Sequence, residues 1–333
     1  MSLLEIKDLT IYYRLQGGWV HAIENVSVNL ESGERLGLVG ESGCGKTTLA
    51  YSITFLLPNN AYLKSGTIKF EGKDLTKIAI KKDGGINMFA EGLRDIRWKE
   101  ISIIFQSAMN SFNPVMTIGD QIAEAIQTHE SIGRQETEER IRGLYEIVGI
   151  PKDRMDSFPH EYSGGMRQRS LIAMSIALNP KLIIADEPTT ALDVITQDRI
   201  LAELVKLQKS SNSSMIIISH DISIVAQLST KIAIMYAGEI VEMAPTREIF
   251  KAPRHPYTMA LLKAFPSIRG EKRRLVTIPG SPPDLVNPPK GCRFSPRCPF
   301  AKDKCKNEEP QLREVSADHS SACHFFEEIF EVR

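Results

Sequence analysis

The stretch Gly40-Glu41-Ser42-Gly43-Cys44-Gly45-Lys46-Thr47 fits the pattern G-x-x-x-x-G-K-[ST]. Glycines at these places let backbone N–H groups turn inward on phosphate oxygens, and a helix start just behind them adds partial positive charge. Lys46 is placed to reach β- and γ-phosphates and Thr47 to hold Mg²⁺. Downstream, Leu182-Ile183-Ile184-Ala185-Asp186-Glu187 is an apolar run that ends in two acids. Carboxylates at the end of a buried strand are costly unless they meet a cation or do chemistry. Asp186 suits Mg²⁺ through water, and Glu187 suits polarising an attacking water as general base. Ser163-Gly164-Gly165, before a helical pattern, reads either as a second anion site or as an ordinary N-cap. His220 and Gln106 each follow a strand-like run and are weak signals alone.

A second group of reactive side chains lies near the C-terminus: Cys292, Cys298, Cys305 and Cys323, with Cys44 standing apart. Four thiolates suit an iron–sulfur cluster or Zn²⁺. Structural zinc usually takes pairs two to four residues apart, and these gaps are wider; free or disulfide-bonded cysteines are the third reading. His319 and His324 are spare ligands or plain surface histidines. This tail is far in sequence from every phosphate motif, so no redox step in phosphate chemistry is required of it, and replacing one cysteine by serine is expected to loosen the tail while the phosphate loop still binds its ligand.

The elements that must position these residues follow from patterning. Residues 3–13 and 19–30 alternate apolar and polar positions around Gly17-Gly18 and predict an antiparallel strand pair. Residues 35–39 predict a buried strand, 46–57 a helix, and 65–72 and 101–105 further strands. Residues 77–97 show little periodicity and read as a surface insertion. Helical spacing runs over 117–129, 136–149 and 164–178. Thereafter strands at 181–185, 214–219, 230–236 and 239–243 alternate with helices at 194–209 and 221–228, the pattern of an α/β fold with parallel strands. Five prolines between Pro279 and Pro289 predict an extended segment. A second, smaller domain is expected from about residue 255 to the end.

The chain has 333 residues with 41 basic and 41 acidic side chains, a formal net charge of zero. That balance speaks against nucleic acid as the main partner, and 42% hydrophobic content excludes disordered and fibrous classes. No apolar run approaches the ~18 residues of a membrane span, and no signal peptide is visible, so a soluble cytoplasmic chain is expected. The basic run Arg269-Gly270-Glu271-Lys272-Arg273-Arg274 reads as a solvated linker or as a contact for anionic lipid headgroups.

Together these motifs resemble the ATP-binding subunit of an ABC transporter. Gly40–Thr47 matches Walker A, Leu182–Glu187 Walker B, and Ser163-Gly164-Gly165-Met166-Arg167-Gln168 the signature. Gln106 resembles the Q-loop glutamine, Ala191-Leu192-Asp193 the D-loop and His220 the switch histidine. Tyr13 stands where the family has its adenine-stacking aromatic, with Tyr12 as a rival. The fold so implied is a P-loop RecA-like α/β core with an antiparallel β subdomain and a helical subdomain (about 107–179), followed by a small cysteine-containing extension. The resemblance implies an ATP site of Tyr13, Gly40 to Thr47 and Thr48 in one subunit, completed by Ser163, Gly164, Gly165 and Asp193 across a head-to-tail dimer. It implies Glu187, His220 and Gln106 as catalytic residues, and Thr47, Gln106 and Asp186 around Mg²⁺.

A narrower resemblance is to the oligopeptide/dipeptide importer branch. It rests on Pro159–Arg169, Asn110–Pro114, His255-Pro256-Tyr257-Thr258, Pro279–Leu285 and Gly291–Pro299. Tyr162, Met166 and Cys44 depart from the commonest family residues without removing a charge or phosphate ligand. The branch implies an ATP-binding domain over 1–254 and an extension over 255–333 holding a [4Fe–4S] cluster on the four cysteines, with Zn²⁺ as the alternative. Its partners are two transmembrane permease subunits contacted by the helical subdomain, a second ATP-binding subunit favoured as a paralogue, and indirectly an extracytoplasmic binding protein. The location implied is the cytoplasmic face of the membrane. Nickel and oligosaccharides are alternative cargoes. A soluble ABC ATPase acting on DNA or ribosomes fits less well, because only one P-loop is present and no coiled coil separates it from the signature. A non-hydrolysing regulatory subunit would need Lys46, Asp186 or Glu187 to be degenerate, and all three are intact.

Overall fold

A computed structural model describes residues 2–106, 111–189, 194–264 and 278–330. The chain forms two compact units. One comprises Met1–Leu30, Leu36–Met88 and His220–Arg333, the other Glu31–Arg35 and Phe89–Ser219.

The first unit opens with β1 (Ser2–Leu15) and β2 (Gly18–Glu31), the expected hairpin, which joins β4 (Ala61–Phe70) and β5 (Lys73–Asp74) in the order β2-β1-β4-β5. A register shift between Lys7 and Ile11 interrupts the alternation of β1, and beyond it Tyr12 pairs with Tyr62 and Tyr13 with Ala61. Adjacent strand residues point to opposite faces, so the two tyrosines reach different neighbours.

In the second sheet of this unit β3 (Arg35–Val39) runs parallel to β9 (Lys231–Tyr236), which pairs antiparallel with β10 (Glu239–Pro245). The hairpin of β11 (Arg313–Ser316) and β12 (His319–Ser321) continues the sheet, because Glu242 pairs with Ser321 and Met243 with Ser320. Helices α1 (Lys46–Ser52), α2 (Thr76–Ala79), α8 (Ile222–Leu228), α9 (Thr246–Lys251), α10 (Pro256–Ala264), α11 (Asp303–Asn307) and α12 (Phe326–Phe330) complete the unit. Val39, Ile232, Ile234 and Tyr236 share a core with Tyr257 and Phe294 from the C-terminal stretch. Tyr257 and Phe294 therefore share the core that holds Val39, the last residue of the strand that leads into the P-loop.

Helix α1 is shorter than its predicted span of 46–57. Phe55 adopts φ 55°, its N–H bonds to Ser52 O at 3.0 Å, and Leu56 N–H bonds to Tyr51 O at 3.1 Å. This is a Schellman closure with phenylalanine in the left-handed position usually given to glycine. The stretch 77–97 is also more ordered than expected: Leu93 and Ile96 are buried, and Ile80 bridges Ile86.

The other unit holds α3 (Glu91–Arg94) and three parallel strands in the order β8-β7-β6: β6 (Ile101–Ile104), β7 (Leu182–Asp186) and β8 (Ser214–Ile218). Strands β7 and β8 are buried at every position, hence their unbroken apolar runs. Helices α4 (Ile118–Gln127), α5 (Arg134–Ile147), α6 (Gly164–Ile176) and α7 (Val194–Ser211) fall where their spacing placed them. Tyr162, which departs from the family leucine, is buried, and its hydroxyl is satisfied by Tyr145 Oη at 3.0 Å and Arg154 O. No helix among the described residues is long and apolar enough to cross a membrane.

Candidate nucleotide site and cysteine cavity

The loop from Gly40 to Gly45 joins β3 to α1. A Cβ on Gly40 would lie 2.2 Å from Met235 O, and Gly45 adopts φ +105° with Ala22 O 2.5 Å from any added Cβ. Glycine is required at both places, as the sequence pattern implied. Lys46 is largely buried and turns back into the loop, donating to Gly40 O at 2.8 Å and Glu41 O at 2.9 Å. Its ammonium thus occupies the middle of a backbone cradle, where phosphate oxygens are the natural replacements for two carbonyls. Cys44 is buried and its thiol is pushed up by desolvation, an effect that nearby Lys46 opposes. Ser42, Gly43 and Thr47 are exposed.

Tyr13 Oη lies 3.1 Å from Thr48 Oγ1, in the first turn of α1. Tyr12 is on the opposite face: its hydroxyl donates to Glu24, and its ring lies 4.0 Å from that of His21. Burial pushes the Tyr12 phenol up to about 12, with the Glu24 hydrogen bond adding to it. His220 is exposed, just ahead of Asp221, which caps α8 through Ser223 N–H at 2.8 Å.

In the other unit, Gln106 Nε2 donates to Glu187 Oε2 at 2.6 Å. Asp186 is buried at the end of β7, and Glu187 turns out of the strand with φ 47°, its amide held by Ile218 O at 2.9 Å. Ser163 caps α6, accepting from Met166 N–H at 3.2 Å. Gln168, also in the signature, donates to Pro188 O at 2.6 Å and so ties α6 to the loop after β7. Asp193 and Asn110 lie outside the described residues.

The four C-terminal cysteines line one small cavity together with His255 and Phe294. A Cβ on Gly291 would lie 2.3 Å from Cys305 O, so glycine lets the two cysteine-bearing segments close, with Cys292 N–H donating to Cys305 O at 2.8 Å. The amides of Phe294, Phe300 and Phe325 face the sulfurs of Cys292, Cys298 and Cys323, each from two residues downstream. Desolvation pushes the Cys292 thiol up to about 12 and that of Cys323 up to about 11. Such thiols ionise only beside a cation. Among the described residues, no set of three or more His, Cys, Asp or Glu side chains stands in position to hold a metal ion. His319, one of the spare-ligand histidines, is instead buried against Glu242 at 2.7 Å; His324 bonds to Glu308 O at 3.0 Å.

The tail is remote from the P-loop along the chain but touches it in the fold. Glu41 N–H donates to Tyr257 Oη at 3.0 Å, and the Glu41 carboxylate pairs with Arg297 at 2.8 Å. Arg293 likewise reaches Glu24 at 3.1 Å and Glu239 at 2.6 Å. Sequence reasoning grouped Tyr257, Arg293 and Arg297 with extension motifs but carried no signal of where their side chains would end.

The ABC transporter family model matches residues 23–190, half of the chain, and the model of the oligopeptide/dipeptide transporter C-terminal region matches residues 241–305. The chain belongs to the ABC transporter family. It is an ATPase of that family. The oligopeptide transport ATP-binding protein OppD of Bacillus subtilis is 46% identical over 321 residues, covering 95% of this chain and 87% of that protein. The dipeptide transport ATP-binding protein DppD of Escherichia coli is 40% identical over 327 residues, covering 98% and 97%. Among solved structures, a dimeric post-hydrolysis state of the ATP-binding cassette MJ0796 bound to ADP and Pi superimposes with a TM-score of 0.64 at 25% identity, covering 73% of this chain and 99% of that one.

Proposed function

We propose that this chain is the ATP-hydrolysing subunit of an importer that carries dipeptides or oligopeptides. The observation that carries this reading is full-length similarity to peptide-transport ATP-binding proteins, through the C-terminal extension as well as the ATPase portion. We take residues 1–254 as the ATPase portion and 255–333 as the extension. Two permease subunits, a second ATP-binding subunit (a paralogue) and, indirectly, a binding protein complete the assembly, with this chain on the cytoplasmic face of the membrane.

In this reading Lys46 releases its loop carbonyls and turns to the β- and γ-phosphates, while Tyr13 stacks on adenine. Thr47, Gln106 and Asp186 would hold Mg²⁺, which would supply neutralisation of phosphate charge. Glu187 takes the proton of the water that attacks the γ-phosphorus, Gln106 orients that carboxylate, and His220 stabilises the transferred phosphoryl group as its bond to the β-phosphate oxygen breaks and ADP leaves. Ser163, Gly164, Gly165 and Asp193 serve the partner's nucleotide across a head-to-tail dimer. Cys292, Cys298, Cys305 and Cys323 would hold a [4Fe–4S] cluster, with Zn²⁺ as the alternative. The four cysteines line one small cavity and three of their sulfurs face amide N–H groups, which supports this reading. The role of that centre is structural, supplying folding free energy to a short proline-rich segment.

The test is uptake of a labelled dipeptide and a labelled hexapeptide into proteoliposomes holding the whole transporter with ATP inside. ATP-dependent accumulation of either supports the proposal. Uptake of Ni²⁺ or an oligosaccharide with neither peptide transported refutes it.

A further inference from the structure

Glu41 is a carboxylate inside a loop that must accept a polyanion. Left unpaired, it would oppose the very ligand the loop is shaped to hold. It is not unpaired: Arg297, from the segment between Cys292 and Cys298, meets its carboxylate at 2.8 Å with only 5% of the arginine side chain exposed. The guanidinium is fixed on other sides too. Its Nε donates to Pro279 O at 2.8 Å, its Nη1 also reaches Tyr236 Oη at 3.2 Å, and its Nη2 reaches Ile278 O. The same residue is held a second time, because Glu41 N–H donates to Tyr257 Oη. Tyr236, Tyr257 and Phe294 pack ring on ring, 4.7 to 5.3 Å between centroids, so both grips share one rigid aromatic base.

We infer that Arg297 is a positioning residue of the phosphate-binding loop, through which the cysteine-bearing extension neutralises Glu41 and sets the loop for the nucleotide triphosphate. The inference rests on the reading that the P-loop binds ATP. Arg297 touches no substrate atom. Its effect is electrostatic and conformational, and it falls on ground-state binding of a highly charged ligand. At an effective dielectric of about 20, one uncompensated carboxylate within a loop's width of the phosphates changes affinity by about tenfold or more.

The experiment uses the full-length chain, with Mg²⁺ and trinitrophenyl-ATP or trinitrophenyl-ADP in fluorescence titrations, and the assembled transporter for steady-state kinetics. R297A is expected to weaken triphosphate binding about tenfold, to weaken diphosphate binding less, and to raise KM for ATP with kcat nearly unchanged. R297K, which keeps the charge, retains part of the affinity. The deciding variant is E41Q/R297A: removing the carboxylate should restore most of what R297A lost. If the double variant binds as weakly as R297A, or if R297A lowers kcat at constant KM, Arg297 does not act by neutralising Glu41. Should R297A fail to fold, E41Q/R297A and R297K are compared with each other, and weaker triphosphate binding by E41Q/R297A than by E41Q alone overturns the inference. K46A separates the two levels, since unimpaired nucleotide binding in K46A would remove the nucleotide site itself and not the role of Arg297.

Discussion

Gln106 and Glu187 are joined by a hydrogen bond of 2.6 Å from the amide Nε2 to the carboxylate Oε2. The bond leaves the carboxylate an acceptor and fixes one of its oxygens. Glu187 leaves its buried strand through a left-handed turn, so its direction is set by backbone and by Gln106 together.

That arrangement makes hydrolysis the step most sensitive to either residue. Glu187→Gln should keep ATP binding and lose turnover by on the order of 10²–10⁴-fold, the usual cost of a missing general base. Gln106→Ala should lower turnover by a smaller factor, because it frees the carboxylate without removing it. Steady-state ATPase assays on the assembled transporter decide. Near-normal activity in Glu187→Gln would remove Glu187 from the role.

Ser163 accepts from Met166 N–H at the start of α6, so its substitution has a local cost as well as an interfacial one. Ser163→Arg should lose the cap, about 1 kcal/mol, yet leave nucleotide binding by its own P-loop nearly intact. ATP-dependent dimerisation, followed by size-exclusion chromatography of the assembled pair, should be blocked by the bulk of arginine. Parallel loss of binding and dimerisation would contradict action across the interface.

Protein purified without oxygen is expected to be brown and to carry roughly four iron and four sulfide per chain. Cys298→Ser should bleach it. Because Arg297 is the preceding residue and bonds to Glu41, the same change should also weaken ATP binding, whereas a tail independent of the loop would leave the affinity untouched. Colourless protein with about one zinc per chain would make the centre a zinc site. Metal-free protein with an unchanged melting temperature would refute both.

Phe294 is 1% exposed and packs against Tyr236 and Tyr257. Phe294→Ala should destabilise the unit that holds it by about 3–5 kcal/mol, read by chemical denaturation, as is usual for a buried aromatic cut to alanine. Tyr162→Phe is the milder control. It removes one hydroxyl partner from Tyr145 and should cost about 1 kcal/mol.

The sequence alone determined several features that depend on local chemistry. Gly40 and Gly45 could be read because only glycine tolerates those approaches and that φ. The strand ending in Asp186-Glu187 could be read because an unbroken apolar run stops at two charges. Helices α4 to α6 followed from spacing that repeats with the helical turn. What it could not determine are contacts between segments hundreds of residues apart, since neither charge nor periodicity encodes a partner at long range. At shorter range, Tyr12 and Tyr13 are neighbours in sequence, and only the pleat of β1, beyond its register shift, sends one to Glu24 and the other to Thr48. The larger case is the extension. Its prolines and cysteines announced a separate segment, but Phe294 and Tyr257 found their cover in the core beside β9, and that burial carries Arg297 onto Glu41. Apolar surface in a short segment must be buried somewhere, and the tertiary structure alone decided that it would be buried behind the P-loop.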